Sequence, residues 1–229
     1  MSLATLTDKD LQLRDAVVQQ LEWDPAVKAS GVGVTAREGA VILTGSINTY
    51  AGKLAAERAA KRVSGVRAVA NDLEVTPAAA RSDADIAADA STILKLHHEV
   101  PDSVQAAVHY GHITLTGTVG WHYQRIQAEK AVRFIRGVRQ IANLITVVPQ
   151  PAGRDMRRRI AQALYRNAAL DAKRIEVTVT GSVVHLRGTA TSWLQRDAAE
   201  RAAYDAPGIT MVDNHIVVDP PNDDNCEIC

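Results

Sequence analysis

Apolar residues alternate with polar ones in three separate stretches of the chain. In the first stretch, Val32, Val34 and Ala36 alternate with polar or small residues, and a turn containing glycine separates them from Val41 and Leu43. A period of two is typical of a strand with one buried face. Two such strands joined by a short turn with glycine predict a β-hairpin.

Segments with helical spacing lie on both sides of this hairpin. Val17 and Leu21 precede it, and small apolar residues recur at i, i+3, i+4 and i+7 over Ala56–Val63. Leu73 and Val75 then alternate again and predict a third strand. The first unit therefore has the predicted order α-β-β-α-β.

The same unit occurs three times. Gly45, Gly117 and Gly188 each follow a Leu-Thr or Leu-Arg pair and recur at intervals of 72 and 71 residues. Further residues keep fixed distances from these glycines in every copy, which is the mark of a repeat protein. Those residues are Glu57, Glu129 and Glu200, then Gly65, Gly137 and Gly208, and then Asn71, Asn143 and Asn214.

We predict an α+β fold of three tandem modules, each a three-stranded mixed sheet with two helices on one face. The modules span 8–77, 83–149 and 154–220, and the polar tail 221–229 is predicted to be disordered. The linkers are short, so we expect contacts between neighbouring modules.

The second face of each predicted sheet carries no helix. Ile42 of the first copy and Val183 of the third lie on this face. Exposed apolar residues on a sheet favour association. We therefore expect at least one of these faces to pack on another module of the chain.

Charge and composition exclude several function classes. Lys and Arg total 26 and Asp and Glu also total 26, so no global attraction to nucleic acid is expected. No run reaches the ~20 apolar residues of a membrane span. The N-terminus lacks the pattern of a secretory signal, so we expect a cytoplasmic protein, or a periplasmic one if the sequence is a processed form.

Two cysteines, Cys226 and Cys229, lie in the tail, so no disulfide framework is predicted. A labile metal or redox pair and a prenylated Cys226 are alternatives for this tail that the sequence does not favour. No activated nucleophile, phosphate-binding glycine loop or paired carboxylates suggest a reaction. We expect a protein that is not an enzyme and needs no cofactor.

The shared positions resemble the BON domain, a family named for bacterial osmotically inducible and nodulation proteins. The resemblance rests on the Leu-Thr-Gly strand end, the Glu twelve residues later, the Gly-Val pair and the Asn before the last strand, and it covers all three copies. It implies that the repeated glycines are structural. These are Gly45, Gly117 and Gly188 at the strand end, and Gly65, Gly137 and Gly208, which we expect to end the second helix with positive φ.

The resemblance also implies a function. BON domains are linked to osmotic or envelope stress, are described as transport-associated and are proposed to contact phospholipid surfaces. We therefore expect a stress-related binding protein that contacts an anionic phospholipid surface or a protein assembly. A relative in which one BON domain is joined to a LysM domain binds potassium, so a cytoplasmic sensor of K⁺ or a small ligand is the alternative.

Basic residues supply the candidate surface for anionic lipid. Near a charged membrane each Lys or Arg contributes about 1 kcal/mol of attraction. The alternative for each cluster is an ordinary solvated helix face. The candidates are Arg125, Lys130, Arg133 and Arg136 in the second copy, and Arg154, Arg157, Arg158 and Arg159 in the third.

Histidine and aromatic residues are weaker candidates. His109 and His112 flank a predicted turn, but no further ligand completes a zinc site there, so no metal is expected. Tyr50, His122 and Trp193 occupy the same position at the start of the second helix in each copy. They are expected to cap the small core of their own module, with anchoring at a membrane interface as the alternative.

Overall fold

A computed structural model describes residues 7–148, 155–167 and 172–219. Each of the three repeats folds as a helix, a hairpin, a second helix and a third strand, which confirms the predicted α+β fold. The predicted tail, its two cysteines and Arg154 lie outside the described residues. We refer to the repeats as domains 1, 2 and 3.

The helices and strands have the following bounds. Domain 1 contains α1 (Asp8–Trp23), β1 (Val32–Arg37), β2 (Ala40–Ile47), α2 (Tyr50–Ala60), β3 (Ala68–Asn71) and β4 (Glu74–Val75). Domain 2 contains α3 (Asp83–Leu96), β5 (Gln105–His109), β6 (His112–Thr116), β7 (Thr118–Val119), α4 (His122–Val132), β8 (Gln140–Asn143) and β9 (Thr146–Val147). Domain 3 contains α5 (Met156–Arg166), β10 (Ile175–Thr180), β11 (Val183–Ala190), α6 (Trp193–Tyr204) and β12 (Met211–Val218).

The main sheet of each domain is mixed, and domain 2 has in addition a two-stranded parallel sheet of β7 and β9. The first two strands of a domain form an antiparallel hairpin, and the third strand pairs in parallel with the second. A parallel pair needs a crossover connection, and the second helix of each domain supplies it. The second strand is therefore central, and its inward residues Leu43, Leu115 and Leu186 are fully buried.

Each domain has its own hydrophobic core between the sheet and its two helices. In domain 1, α2 faces the sheet with Ala55, Ala56, Ala59 and Ala60, all of them buried. Alanine side chains are short, so the helix lies close to the sheet, and close packing is what makes a small core effective. The apolar stripe predicted from the sequence is the surface that the helix buries.

The glycines predicted at strand ends lie within β2 (Gly45), between β6 and β7 (Gly117) and within β11 (Gly188), and a close approach of two backbone segments requires them. Gly45, Gly117 and Gly188 have φ values of +102°, +130° and +127°. A Cβ on Gly117 would lie 2.3 Å from the carbonyl oxygen of Ser103, and one on Gly45 would lie 2.2 Å from that of Gly31. No side chain larger than hydrogen fits at such distances.

The second set of glycines also has positive φ, as predicted: +86° at Gly65, +92° at Gly137 and +81° at Gly208. Their place in the fold differs from the prediction, because α2 already ends at Ala60. Val63 donates its backbone N–H to the carbonyl of Ala60, a tight i to i−3 bond that replaces the helical pattern. The glycine closes this turn instead of ending the helix.

Over the described residues, the bare sheet faces remain open in all three domains, with Ala107 and His112 exposed on that of domain 2. Ile42 is 40% exposed, and Met211 and Val217 on β12 are each more than half exposed. The expectation that one of these faces packs on another domain is therefore not met. The domains do touch one another, but they do so through the second helices, whose outer sides carry larger side chains.

Candidate functional site

Contacts between domains begin at one repeated position, the first residue of each second helix. Tyr50 of domain 1 packs against the core of domain 2, and Trp193 of domain 3 packs against the core of domain 1. The ring of His122 in domain 2 stacks on Tyr204 of domain 3, with centroids 3.4 Å apart. The expectation that these residues cap their own cores was wrong, because each packs on a different domain.

Helix geometry explains this outcome. At about 100° per residue, Tyr50 lies on the side of α2 opposite the buried alanines. The residues 4, 7 and 11 positions further along share its side, and all of them are half-buried in every domain. We call this set the junction stripe: Tyr50, Leu54, Glu57 and Lys61 in domain 1; His122, Ile126, Glu129 and Arg133 in domain 2; Trp193, Asp197, Glu200 and Tyr204 in domain 3.

In the junction between domains 3 and 1, a lysine side chain of domain 1 lies over an aromatic ring of domain 3. The Lys61 ammonium lies 4.9 Å from the centroid of the Trp193 ring and 2.7 Å from Glu57. Burial raises the pKa of the Asp197 carboxyl, an effect that the charge of Lys61 opposes. Nearby, Arg67 and Asp219 form an exposed ion pair 3.7 Å apart.

The junction between domains 1 and 2 centres on Tyr50. Burial raises the pKa of its hydroxyl, and the carboxylates of Glu129 and Glu57 add to that effect. Arg133 and the backbone of Ile141, both in domain 2, act in the opposite direction. Tyr50 therefore sits among charged groups of both domains while its ring covers the edge of an apolar core.

Burial lowers the pKa of His122 to about 4, and the charge of Arg125 contributes to the shift. The folded protein thus holds this imidazole neutral in the contact with Tyr204. A histidine whose pKa is lower in the folded than in the unfolded state stabilises the fold fully above pH ~6.5, and that contribution is lost as the pH falls toward 4.

We expect acid to weaken this junction through His122. Between pH 7.5 and 5.0, the protein should lose about 1 to 2 kcal/mol more of its free energy of unfolding than the His122→Gln variant, because glutamine takes up no proton. Denaturant titrations at both pH values measure this difference. His109→Gln, which alters an exposed imidazole, should behave like the unmodified protein. Equal losses in the protein and in His122→Gln would contradict the assignment.

The basic candidates of domain 2 do not form one open surface. Arg125 donates to the carbonyl of Asn143 at 3.1 Å. Arg133 belongs to the junction stripe and lies beside the ring of Phe134. Both arginines are half-buried. Lys130 and Arg136 are exposed. Two of these four candidates are thus engaged within the protein, and two face solvent.

The basic candidates of domain 3 lie on the outside of α5. Met156, Ile160 and Leu164 bury one side of this helix, and Arg157, Arg158 and Arg159 are exposed. The structure adds Arg166 and Tyr165, which are also exposed. At about 100° per residue, Arg158, Arg159, Tyr165 and Arg166 share the face opposite the buried residues. Sequence reasoning missed the last two because it stopped at the arginine cluster.

Beside α5 lies an open groove of about 520 Å³ between the helix and β10. Arg157, Lys173 and Arg187 bring positive charge to it, and Tyr165 forms part of its wall. Glu176 is the one acidic residue among the described residues that line it. Such a surface attracts anions.

The histidine candidates lie on the sheets. His109 and His112 face each other across the β5–β6 hairpin, and both are exposed. His185 and His215 flank Asp213, with nitrogen to oxygen distances of 3.1 and 2.8 Å. Over the part of the chain that the structure describes, no three histidine, cysteine or acidic residues are placed to hold a metal ion.

Comparison with protein families decides the identity of the repeats. The model of the BON domain matches residues 9–77, 82–149 and 154–220, which together make up most of the chain. The chain belongs to the BON domain family. Its three BON domains carry the strand-end glycines and the Glu and Asn positions described above.

No curated protein matches the chain. Among solved structures, two of CdsD, a structural protein of the type III secretion system of Chlamydia trachomatis, are 15% and 14% identical, with TM-scores of 0.27 and 0.26. The two matches cover 93% and 92% of this chain, and 94% and 98% of the respective CdsD chains. The PrgH periplasmic domain is 10% identical with a TM-score of 0.23, covering 82% of this chain and 95% of its own. Likeness at this level carries no argument about the function of the three BON domains.

None of the helices within the described ranges combines the length and the apolar character needed to cross a bilayer.

Proposed function

We propose that this protein is a non-enzymatic, stress-related binding protein and that domain 3 contacts anionic phospholipid surfaces. The outer face of α5 carries the proposal. It presents Arg158, Arg159 and Arg166 around the exposed ring of Tyr165, while the opposite face is anchored in the core. A helix fixed in this way holds its positive charges on one side, where they can meet a charged membrane together.

The adjoining groove supports the same ligand class. Arg157, Lys173 and Arg187 extend the positive surface from α5 toward the sheet. Tyrosine is favoured at membrane interfaces because its ring is apolar and its hydroxyl is polar, and Tyr165 stands at the edge of this surface. A basic surface repels cations, so domain 3 offers less support to the alternative of a K⁺ sensor. A negatively charged protein assembly is the remaining alternative for this face.

Vesicle flotation tests the proposal. At low salt, the protein should float with vesicles of phosphatidylcholine and phosphatidylglycerol and should not float with phosphatidylcholine alone. Binding should weaken as added salt shortens the Debye length below about 10 Å. The triple variant R158Q/R159Q/R166Q should bind the anionic vesicles at least ~10-fold more weakly, because each removed charge contributes about 1 kcal/mol. Its melting temperature should stay nearly unchanged, since exposed charges add little to stability.

A matched control removes the same amount of charge elsewhere. Lys28, Arg58 and Lys95 are exposed in domains 1 and 2, and the variant K28Q/R58Q/K95Q should keep most of the binding. Equal loss in both variants would assign the effect to net charge and not to α5. Absence of binding at low salt would overturn the membrane proposal and leave the protein assembly.

A further inference from the structure

The three domain junctions use the same two positions of the junction stripe. In each junction, the first residue of the stripe of one domain contacts the domain that supplies the last residue of another stripe. Tyr50 packs on the core of domain 2, which carries Arg133, His122 stacks on Tyr204, and Lys61 lies over the Trp193 ring. The contacts run from domain 1 to 2, from 2 to 3, and from 3 back to 1. Each domain therefore gives one side chain and receives one.

When one surface of a unit contacts a different surface of the next unit, the same contact can repeat from unit to unit in one direction. Such contacts form a closed ring when the rotation between units returns to the start, and an open chain otherwise. Here the third contact returns to the first domain, although Trp193 and Lys61 are far apart in the sequence. The short linkers join domain 1 to 2 and domain 2 to 3, but the contact between domains 3 and 1 depends on noncovalent interactions within the described residues.

We propose that the three domains close into a ring with approximate threefold symmetry, and that Trp193 closes it. When this junction is open, the free Trp193 side of one chain and the free Lys61 side of another are complementary. The partner of the opened surface is then a second copy of this chain. Closure within one chain covers both sides and keeps the protein monomeric.

The chemistry of the three junctions differs. Tyr50 packs on an apolar core within the electrostatic influence of Arg133 and Glu129, a neutral histidine stacks on a tyrosine ring, and a tryptophan ring lies under a lysine. A tryptophan face attracts a cation, whereas a neutral imidazole gains no such interaction from Lys61. Trp193 is therefore a better partner for Lys61 than His122 would be.

The experiment compares molecular mass and radius of gyration by light scattering and small-angle X-ray scattering over a range of concentrations. The unmodified protein should be a compact monomer at every concentration. Trp193→Ala should have a larger radius of gyration when dilute, and its mass should rise toward that of two or more chains when concentrated. Leu194→Ala, which alters a neighbouring exposed side chain, should behave like the unmodified protein.

Two more variants distinguish an opened junction from misfolding of domain 3. Lys61→Glu alters the other side of the junction at a position outside the core. It places a carboxylate beside Glu57 and the indole of Trp193, so it should also open the ring of domains. Trp193→Phe should restore the compact monomer, because Trp193 Nε1 has no hydrogen-bond partner among the described residues. Unchanged mass and radius in both Trp193→Ala and Lys61→Glu would overturn the proposal. A change in Trp193→Ala that Phe does not rescue and Lys61→Glu does not reproduce would also overturn it.

Discussion

Replacing Gly117 with alanine is expected to destabilise domain 2 by at least ~3 kcal/mol. The new Cβ would lie 2.3 Å from the carbonyl oxygen of Ser103 and 3.0 Å from the Cα of Val104, both of them backbone atoms. Its φ of +130° is also unfavourable for any residue with a Cβ. A backbone clash cannot be relieved by rotating a side chain, so the end of β6 must move away from the segment that precedes β5.

Hydrogen exchange measured by mass spectrometry resolves this effect by domain. Amides of β5 and β6 should lose most of their protection in Gly117→Ala, whereas those of β10 and β11 should change little. Gly120→Ala is the matched control, because Gly120 lies three residues further along the chain, just after β7, and its nearest neighbour would be 3.9 Å from the new Cβ. Its effect should stay within about 0.5 kcal/mol. Similar protection in both variants would show that the close approach of the strands is not needed.

Asn143→Ala is expected to lower the free energy of unfolding of domain 2 by about 2 to 3 kcal/mol. The Asn143 side chain donates to the Arg125 carbonyl at 3.0 Å and to the Glu129 carboxylate at 3.1 Å, and it accepts from the Ile145 backbone at 3.3 Å. Alanine would leave these half-buried groups without that partner, and an unsatisfied buried group costs about 1 to 3 kcal/mol.

Asn71 and Asn214 make the same bond to Glu57 and Glu200, so the effect should recur in each domain. Asn48→Ala, at an exposed position, should leave stability nearly unchanged. Denaturant titration gives the total loss, and hydrogen exchange assigns it to one domain. Retention of full protection around β8 in Asn143→Ala would contradict the role of this side chain.

The structural roles of Gly117 and Asn143 explain why these positions recur in every copy of the repeat. Gly117 is required by the close approach of the Ser103 backbone, and Asn143 connects the third strand to the second helix through its hydrogen bond to Glu129. Both positions hold elements together that are distant in the sequence. Positions on the surface carry no such constraint, which is why the basic cluster on α5 has no counterpart of similar size on α1 or α3.

The sequence alone determined the number of domains, the order of their elements and the side of each element that is buried. These features follow from local periodicity: alternation sets the inward face of a strand, and the spacing of Ala56, Ala59 and Ala60 sets the inward face of a helix. Three copies in the same register also revealed the Glu and Asn positions, although not the bond between them. The positive φ of Gly65, Gly137 and Gly208 followed from their place after a helical pattern.

Only the tertiary structure decided how the domains meet and which arginines face solvent. The junction stripe contains Tyr50, Glu57 and Lys61, a mixture that looks like an ordinary solvated helix face in the sequence. The burial of Tyr50 depends on a neighbouring domain, and periodicity within one helix carries no information about that neighbour. The same limit applies to Arg125 and Arg133: a helical pattern places their side chains on a face, but contacts made by other elements decide whether that face meets water.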